Sequence, residues 1–125
     1  MKLDSGLMGK LADAPASAAK LEAAGYDGAI TAEMAHDPFF PLLLAAQSTT
    51  QIELVTSIAV AFSRTPMLLA NIGHDLNSLS KGRFVMGLGS QIQPHITKRF
   101  SMPWSDPAKR MREFILAMRA IWSCW

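Results

Sequence analysis

The 125-residue sequence is poor in cysteine and in charge, and each shortage excludes a class of protein. Cys124 is the only cysteine, which excludes a disulfide scaffold and a four-cysteine zinc site. Charged residues make up 18% of the chain and hydrophobic residues 50%, which excludes intrinsic disorder. No apolar run approaches the roughly 18 residues of a membrane-spanning helix, and Asp4 stands where the apolar core of a signal peptide would begin. The sequence therefore predicts a cytoplasmic protein with no membrane partner.

Charge is unevenly distributed, although the net charge is only +2. Residues 1–80 carry four basic and eight acidic side chains, whereas residues 81–125 carry eight basic and two acidic side chains. A basic segment can bind nucleic acid, but these residues are expected on solvated helix faces, and no nucleic-acid motif accompanies them. We therefore expect a small-molecule partner and no nucleic acid.

Short apolar runs alternate with helical segments along the chain. Strands are predicted over 2–8, 28–33, 52–62 and 83–88, and helices over 14–24, 38–49, 65–80 and 106–122. Repeated strand–helix units of this length predict an α/β fold with a parallel sheet and helices outside it, either doubly wound or part of a (β/α) TIM barrel. The dinucleotide fingerprint is rejected, because Ile92 stands where the third glycine after Gly87 and Gly89 belongs.

Four strand–helix units amount to half a barrel, with unpaired edges on the first and fourth strands. The last predicted helix runs apolar to Trp125 without a glycine or a polar tail. We therefore expect a truncated half barrel that binds ligand weakly by itself and pairs with a second copy as a homodimer.

Candidate site residues follow the strands, because ligands of parallel α/β folds bind at the carboxyl ends. Glu33 can act as a general base or accept a hydrogen bond from a ring N–H, or it can be an ordinary ion-pairing carboxylate. With His36 and Asp37 it fits no standard metal motif, so no metal is predicted. Gly87 and Gly89 indicate either close approach of a flat or anionic ligand or tight packing. These residues predict an aromatic or phosphorylated ligand but name no reaction.

A family resemblance rests on four segments. They are Gly25–Gly28 before the second strand, Arg64–Pro66 at the third helix, the run from Asp75 to Phe84 into Gly87–Ser90, and Phe100–Trp104. Together they resemble the bacterial luciferase-like monooxygenase superfamily, and within it the deazaflavin (coenzyme F-420)-dependent oxidoreductases.

The resemblance implies that residues 1–125 form the N-terminal part of a luciferase-like TIM-barrel domain. It implies an enzyme that binds F-420, or in relatives FMN, at the carboxyl ends of the strands. The implied reaction is hydride transfer between F-420 and a small organic substrate. The alternatives are an FMN-dependent monooxygenase of the same fold and a non-catalytic half barrel that only self-associates.

The resemblance also implies particular site residues. Several family members have a histidine at the position of Met34, which leaves His36 as its substitute and makes Glu33 and His36 the predicted catalytic residues. In the family the third strand carries a bulge with a non-prolyl cis peptide, and Ser57–Ile58 matches it. The predicted cofactor-binding residues are Glu33, Met34, Ser57, Ile58, Gly87, Gly89, Ser90 and Gln91.

Overall fold

The structure is a computed structural model that describes residues 1–125, and its centre is a four-stranded parallel sheet. The strands are β1 (Asp4–Gly6), β2 (Gly28–Thr31), β3 (Glu53–Val60) and β4 (Phe84–Gly89). The helices are α1 (Ala14–Ala23), α2 (Phe39–Ser48), α3 (Pro66–Leu79) and α4 (Pro107–Trp122). Each strand is followed in the chain by one of these helices, as the alternation of the sequence predicts.

The strands lie in the order β1-β2-β3-β4, and every neighbouring pair is parallel. This order confirms the predicted α/β class and excludes a sheet that doubles back. One register row joins Gly6, Ile30, Val55 and Val85 across all four strands. The pairing of β3 with β4 shifts between Thr56 and Ala59, so a bulge interrupts β3 near its carboxyl end.

The observed elements differ from the predicted ones by more than one residue in four places. The second strand ends at Thr31 instead of at residue 33. The first strand is three residues long instead of seven, because its ladder with β2 covers only Asp4–Gly6. The third strand ends at Val60, and Ala61–Ser63 form a 3₁₀ turn instead of extending it. A single π-helical turn, His95–Arg99, replaces part of the loop predicted after the fourth strand.

Polar side chains cap the amino termini of two helices. The Thr65 hydroxyl accepts a hydrogen bond from Leu68 N at 3.2 Å, and the Asp106 carboxylate accepts from Ala108 N at 3.0 Å. Asp13 makes no such bond, because the 3₁₀ turn ending there leads directly into α1. No helix of this structure has both the length and the apolar character that a membrane-spanning segment needs.

The hydrophobic core lies between the helices and one face of the sheet. Its first cluster consists of Phe39, Ala59, Val60, Ala61, Phe62, Leu69, Leu76, Ile96, Phe114 and Met118. Its second cluster consists of Leu7, Ala14, Ala18, Ala29, Leu42, Ala45, Ala46, Ile52 and Leu54. Alternate strand residues point to the other face, where Val85 is 45% exposed. That uncovered sheet face is where a closed barrel would have its interior.

Candidate functional site

The loops after β2 and β3 meet at the carboxyl edge of the sheet. Glu33 N donates a hydrogen bond to Ile58 O at 3.3 Å, which ties the end of β2 to the bulge in β3. The Glu33 carboxylate turns the same way, since its Oε2 accepts from Val60 N at 2.7 Å. Two residues predicted to bind the cofactor, Glu33 and Ile58, are therefore neighbours in the structure.

A buried ion-pair network surrounds Glu33. Arg64 Nη1 donates to Glu33 Oε2 at 2.7 Å, and Arg64 Nη2 donates to Asp37 Oδ2 at 2.9 Å. The side chains of Glu33 and Arg64 are only 7% and 12% exposed, whereas that of Asp37 is 32% exposed. The guanidinium also lies 5.4 Å from the centre of the Phe39 ring. One arginine thus joins carboxylates from both ends of the loop between β2 and α2.

Opposing effects set the protonation of Arg64. Burial of its guanidinium would lower the pKa, but hydrogen bonds and charge from Glu33, and then from Asp37, outweigh burial and raise the pKa above its ordinary value. The arginine therefore stays charged at any pH where the fold persists. Because both acids are held by this charge, the network combines one cation with two anions.

The two glycines of β4 lie against the bulge of β3. A Cβ on Gly87 would stand 2.0 Å from Thr56 O, and a Cβ on Gly89 would stand 2.6 Å from the Ile58 side chain. Tight packing therefore accounts for both glycines, and their contact with a cofactor stays a prediction. The Ser57–Ile58 peptide between these contacts is cis, as predicted for this position.

No hydrogen bond joins the side chains of the remaining predicted residues to this centre. Met34 is 72% exposed, and its carbonyl accepts a hydrogen bond from Arg99 of the π-helical turn. His36 is exposed and, with Asp37 of the ion-pair network, lines a cleft of about 270 Å³ between the loops after β1 and β2. Ser90 Oγ donates to Gln91 O at 3.1 Å, while the Gln91 side chain contacts His95 at 3.2 Å. The structure therefore brings Glu33, Ser57, Ile58, Gly87 and Gly89 together, but not the other four.

The uncovered sheet face becomes shallow toward its carboxyl edge. Ile30, Val55 and Val85 form one apolar row across it. One step nearer the carboxyl edge, β3 and β4 present only the small residues Ser57 and Gly87. This floor of apolar and small side chains, with the Glu33 carboxylate in the adjoining loop, is compatible with a planar heteroaromatic ring such as a flavin or deazaflavin.

Arg64 and Asp37 were not among the predicted catalytic or cofactor-binding residues, although both lie in segments that the sequence singled out. A signal for Arg64 was present, because it is the only Lys, Arg, Asp or Glu between Glu53 and Asp75. A lone cation within so apolar a stretch requires an acidic partner when it is buried. The sequence does not show which acids are the partners, because they lie 27 and 31 residues away from Arg64.

Parallel strand–helix units with a polar site at the carboxyl edge are the architecture of (β/α)-barrel enzymes. Within that class, the chain belongs to the luciferase-like monooxygenase family, whose sequence model matches residues 2–124. Members of this family are monooxygenases and oxidoreductases. The family prediction made from the four sequence segments is thereby confirmed.

Two curated relatives come from Mycobacterium tuberculosis. An uncharacterised protein is 59% identical over 125 residues, which is 100% of this chain and 37% of that protein. A second relative, named "putative coenzyme F-420-dependent oxidoreductase", is 33% identical over 106 residues, covering 84% of this chain and 30% of the relative. The chain thus spans little more than a third of the length of the first of these relatives.

A solved structure shows the same fold. It is a type II Baeyer–Villiger monooxygenase, the oxygenating constituent of 3,6-diketocamphane monooxygenase from Pseudomonas putida, in complex with FMN. It superposes with a TM-score of 0.84 at 19% identity, over 98% of this chain and 40% of that one. The partial TIM-barrel fold predicted from the sequence is confirmed.

Proposed function

We propose that this protein is an F-420-dependent oxidoreductase that transfers hydride between the deazaflavin and a small organic substrate. The observation that carries the proposal is the 33% identity, over 84% of this chain, to the relative named for F-420-dependent oxidation and reduction. The shape of the carboxyl edge agrees with it, since a planar ring can lie on the floor beside Ser57 and Gly87.

Glu33 would orient the ring. Its Oε2 is occupied by Val60 N and Arg64, whereas no hydrogen bond within the chain reaches its Oε1. A carboxylate oxygen held in this way can accept a hydrogen bond from a ring N–H. When bound, F-420 supplies the carbon centre that accepts or donates hydride. The protein's own contribution at Glu33 is therefore orientation of the ring.

His36 would carry the proton that accompanies hydride transfer. Its imidazole is exposed at the carboxyl edge, two residues from Met34, and lines the cleft with Ala35 and Phe40. A histidine can donate or accept a proton near neutral pH, and a cleft of this kind admits a small substrate. We assign His36 the proton-transfer role and leave hydride transfer to the cofactor.

Fluorescence titration tests the cofactor assignment. The protein, expressed from its complete reading frame, is titrated with F-420 and with FMN under identical conditions. We expect a micromolar dissociation constant for F-420 and binding of FMN weaker by about tenfold or more, a difference of about 1.4 kcal/mol. Tighter binding of FMN would contradict the proposal.

An FMN-dependent monooxygenase is the second candidate, favoured by the FMN complex of the same fold. The same titration separates the two, and a product containing oxygen from ¹⁸O₂ would establish the monooxygenase. The two candidates share the site at the carboxyl edge, so the identity of the bound ring decides between them.

We also propose self-association as a homodimer, either alongside catalysis or as the sole function of a non-catalytic half barrel. The uncovered sheet face supports this, because it exposes Val85 and ends in edge strands β1 and β4, each paired on one side only. Light scattering on the purified protein should give twice the monomer mass at micromolar concentration. A monodisperse monomer would contradict it.

A further inference from the structure

The loop between β2 and α2 is held at both ends and exposed in the middle. Glu33 and Asp37, at the two ends, bind the same guanidinium at 2.7 and 2.9 Å. Met34, Ala35 and His36 lie between them and are all exposed. We call the exposed segment Met34–His36 the arch. The residues at its two ends, Glu33 and Asp37, both bind the guanidinium of Arg64.

Further hydrogen bonds join each end of the arch to a different element. Glu33 is bonded to the bulge of β3 through Ile58 O and Val60 N. Asp37 Oδ1 accepts from Phe39 N at 2.8 Å and so holds the first turn of α2. Arg64 Nη1 also donates to Val60 O at 3.1 Å. The arginine thus sets the position of the arch relative to both the sheet and the helix.

We propose that Arg64 is a positioning residue that presents the Met34–His36 arch to the ligand at the carboxyl edge. This inference rests on the proposed function, since it deepens the account of the same site. Arg64 touches no reacting atom. It acts through Glu33 and Asp37, and the forked geometry of its guanidinium suits it to two carboxylates at once. A lysine keeps the charge but, as a single ammonium, lacks that fork.

Arg83 provides a matched control at the opposite end of the sheet. It is also a partly buried arginine, and its guanidinium donates five hydrogen bonds. It stands directly before β4, at the amino edge, and none of its acceptors belongs to the arch. Replacing either arginine should lower the stability of the fold, but only replacing Arg64 should weaken ligand binding at the carboxyl edge.

The experiment compares Arg64→Lys, Arg64→Met and Arg83→Lys in the protein expressed from its complete reading frame. F-420 affinity is measured by fluorescence at a temperature where each variant is folded. We expect affinity to fall about tenfold or more in Arg64→Met, less in Arg64→Lys, and not to change in Arg83→Lys. Unchanged affinity in both Arg64 variants, or an equal loss in Arg83→Lys, would overturn the proposal.

Hydrogen exchange supplies a readout that does not depend on the cofactor. The amides of Glu33 and Val60, which donate to Ile58 O and to Glu33 Oε2, should exchange about tenfold faster in Arg64→Met, while those of β1 keep the wild-type rate. If the wild-type protein binds neither F-420 nor FMN, the functional proposal fails, and the exchange pattern alone decides whether Arg64 holds the arch. Uniform acceleration over the whole chain would assign Arg64 to general stability instead.

Discussion

The two edges of the sheet each contain a partly buried arginine, but the two guanidinium groups are hydrogen-bonded to different kinds of acceptor. At the amino edge, Arg83 donates five hydrogen bonds to uncharged oxygens. Those acceptors are Ser80 O, Thr49 Oγ1, Thr49 O, Ile52 O and Ala46 O. At the carboxyl edge, Arg64 instead holds two carboxylates, Glu33 and Asp37.

We relate this difference in acceptors to two roles, a stabilising one for Arg83 and the proposed positioning role for Arg64. Carbonyl groups at a helix end and in a turn lack a partner in regular secondary structure and need a hydrogen-bond donor. Arg83 supplies that donor and so links the end of α2 to the start of β3 and β4. Carboxylates keep lone pairs and charge after pairing, so the Arg64 network can still act on a ligand. In barrel enzymes the amino edge serves stability and the carboxyl edge chemistry, and the role that we propose for Arg64 would follow that division.

The largest effect is expected from Arg83→Met. It removes five hydrogen bonds and leaves main-chain carbonyls without partners, so the free energy of unfolding should fall by about 3 kcal/mol. Urea denaturation measures it, with Arg112→Met on the exposed side of α4 as the control, expected within about 0.5 kcal/mol of wild type. A loss as small as that of the control would remove the stabilising role assigned to the amino edge.

Two glycines, one near each edge of the sheet, extend the comparison of the edges with a smaller expected loss of stability. Gly87→Ala would place a Cβ 2.0 Å from the Thr56 carbonyl, which is backbone and cannot turn away, and should destabilise by about 2 kcal/mol. Gly28→Ala at the amino edge would meet Asp4 Oδ1 at 2.5 Å, but that exposed side chain can rotate into solvent, so less than about 1 kcal/mol is expected. Thermal unfolding of the two variants measures both values, and equal losses would contradict the distinction.

The smallest effect concerns Glu22, whose carboxylate accepts hydrogen bonds from Thr50 N, Gln51 N and Ile52 N before β3. Burial would raise the pKa of Glu22, but these bonds and the charge of Arg83 outweigh it and lower the pKa below the ordinary 4.5. The stabilisation is therefore complete above pH 4.5 and is lost as pH falls through the lower folded value.

Glu22→Gln should cost about 1 kcal/mol at pH 7, because a neutral amide accepts these bonds less strongly. The difference from wild type should shrink as the pH is lowered below 4.5, and urea denaturation at pH 7 and pH 3 measures it. Glu113→Gln, on an exposed turn of α4, serves as the control and should show no such pH dependence. A constant difference at both pH values would refute the assignment.

Some of this architecture was predictable from short stretches of sequence. Thr65 caps the helix that the sequence predicts to begin there, because a cap requires only an oxygen within three residues of the amide whose hydrogen bond it accepts. The first strand was overestimated, because its length depends on how much of β2 is available to pair with it. The cis peptide at Ser57–Ile58 was predicted from the family resemblance rather than from the residues themselves.

Other features of the site were not accessible in this way. Glu33 was singled out after the second strand with two alternatives, and the structure contains the ordinary one, an ion pair, whose partner the sequence did not identify. Gly87 was open to two interpretations, and only the approach of the Thr56 carbonyl favoured packing. In both cases the deciding neighbour comes from another strand–loop unit.

Local patterns were therefore sufficient for the order of strands and helices and for the parallel sheet, because periodicity and capping act over a few residues. Tertiary structure decided which acids Arg64 holds, which glycines pack and which sheet face stays uncovered. The physical reason is that parallel strands bring the ends of segments some thirty residues apart to one edge, where a buried guanidinium needs whichever carboxylates arrive there.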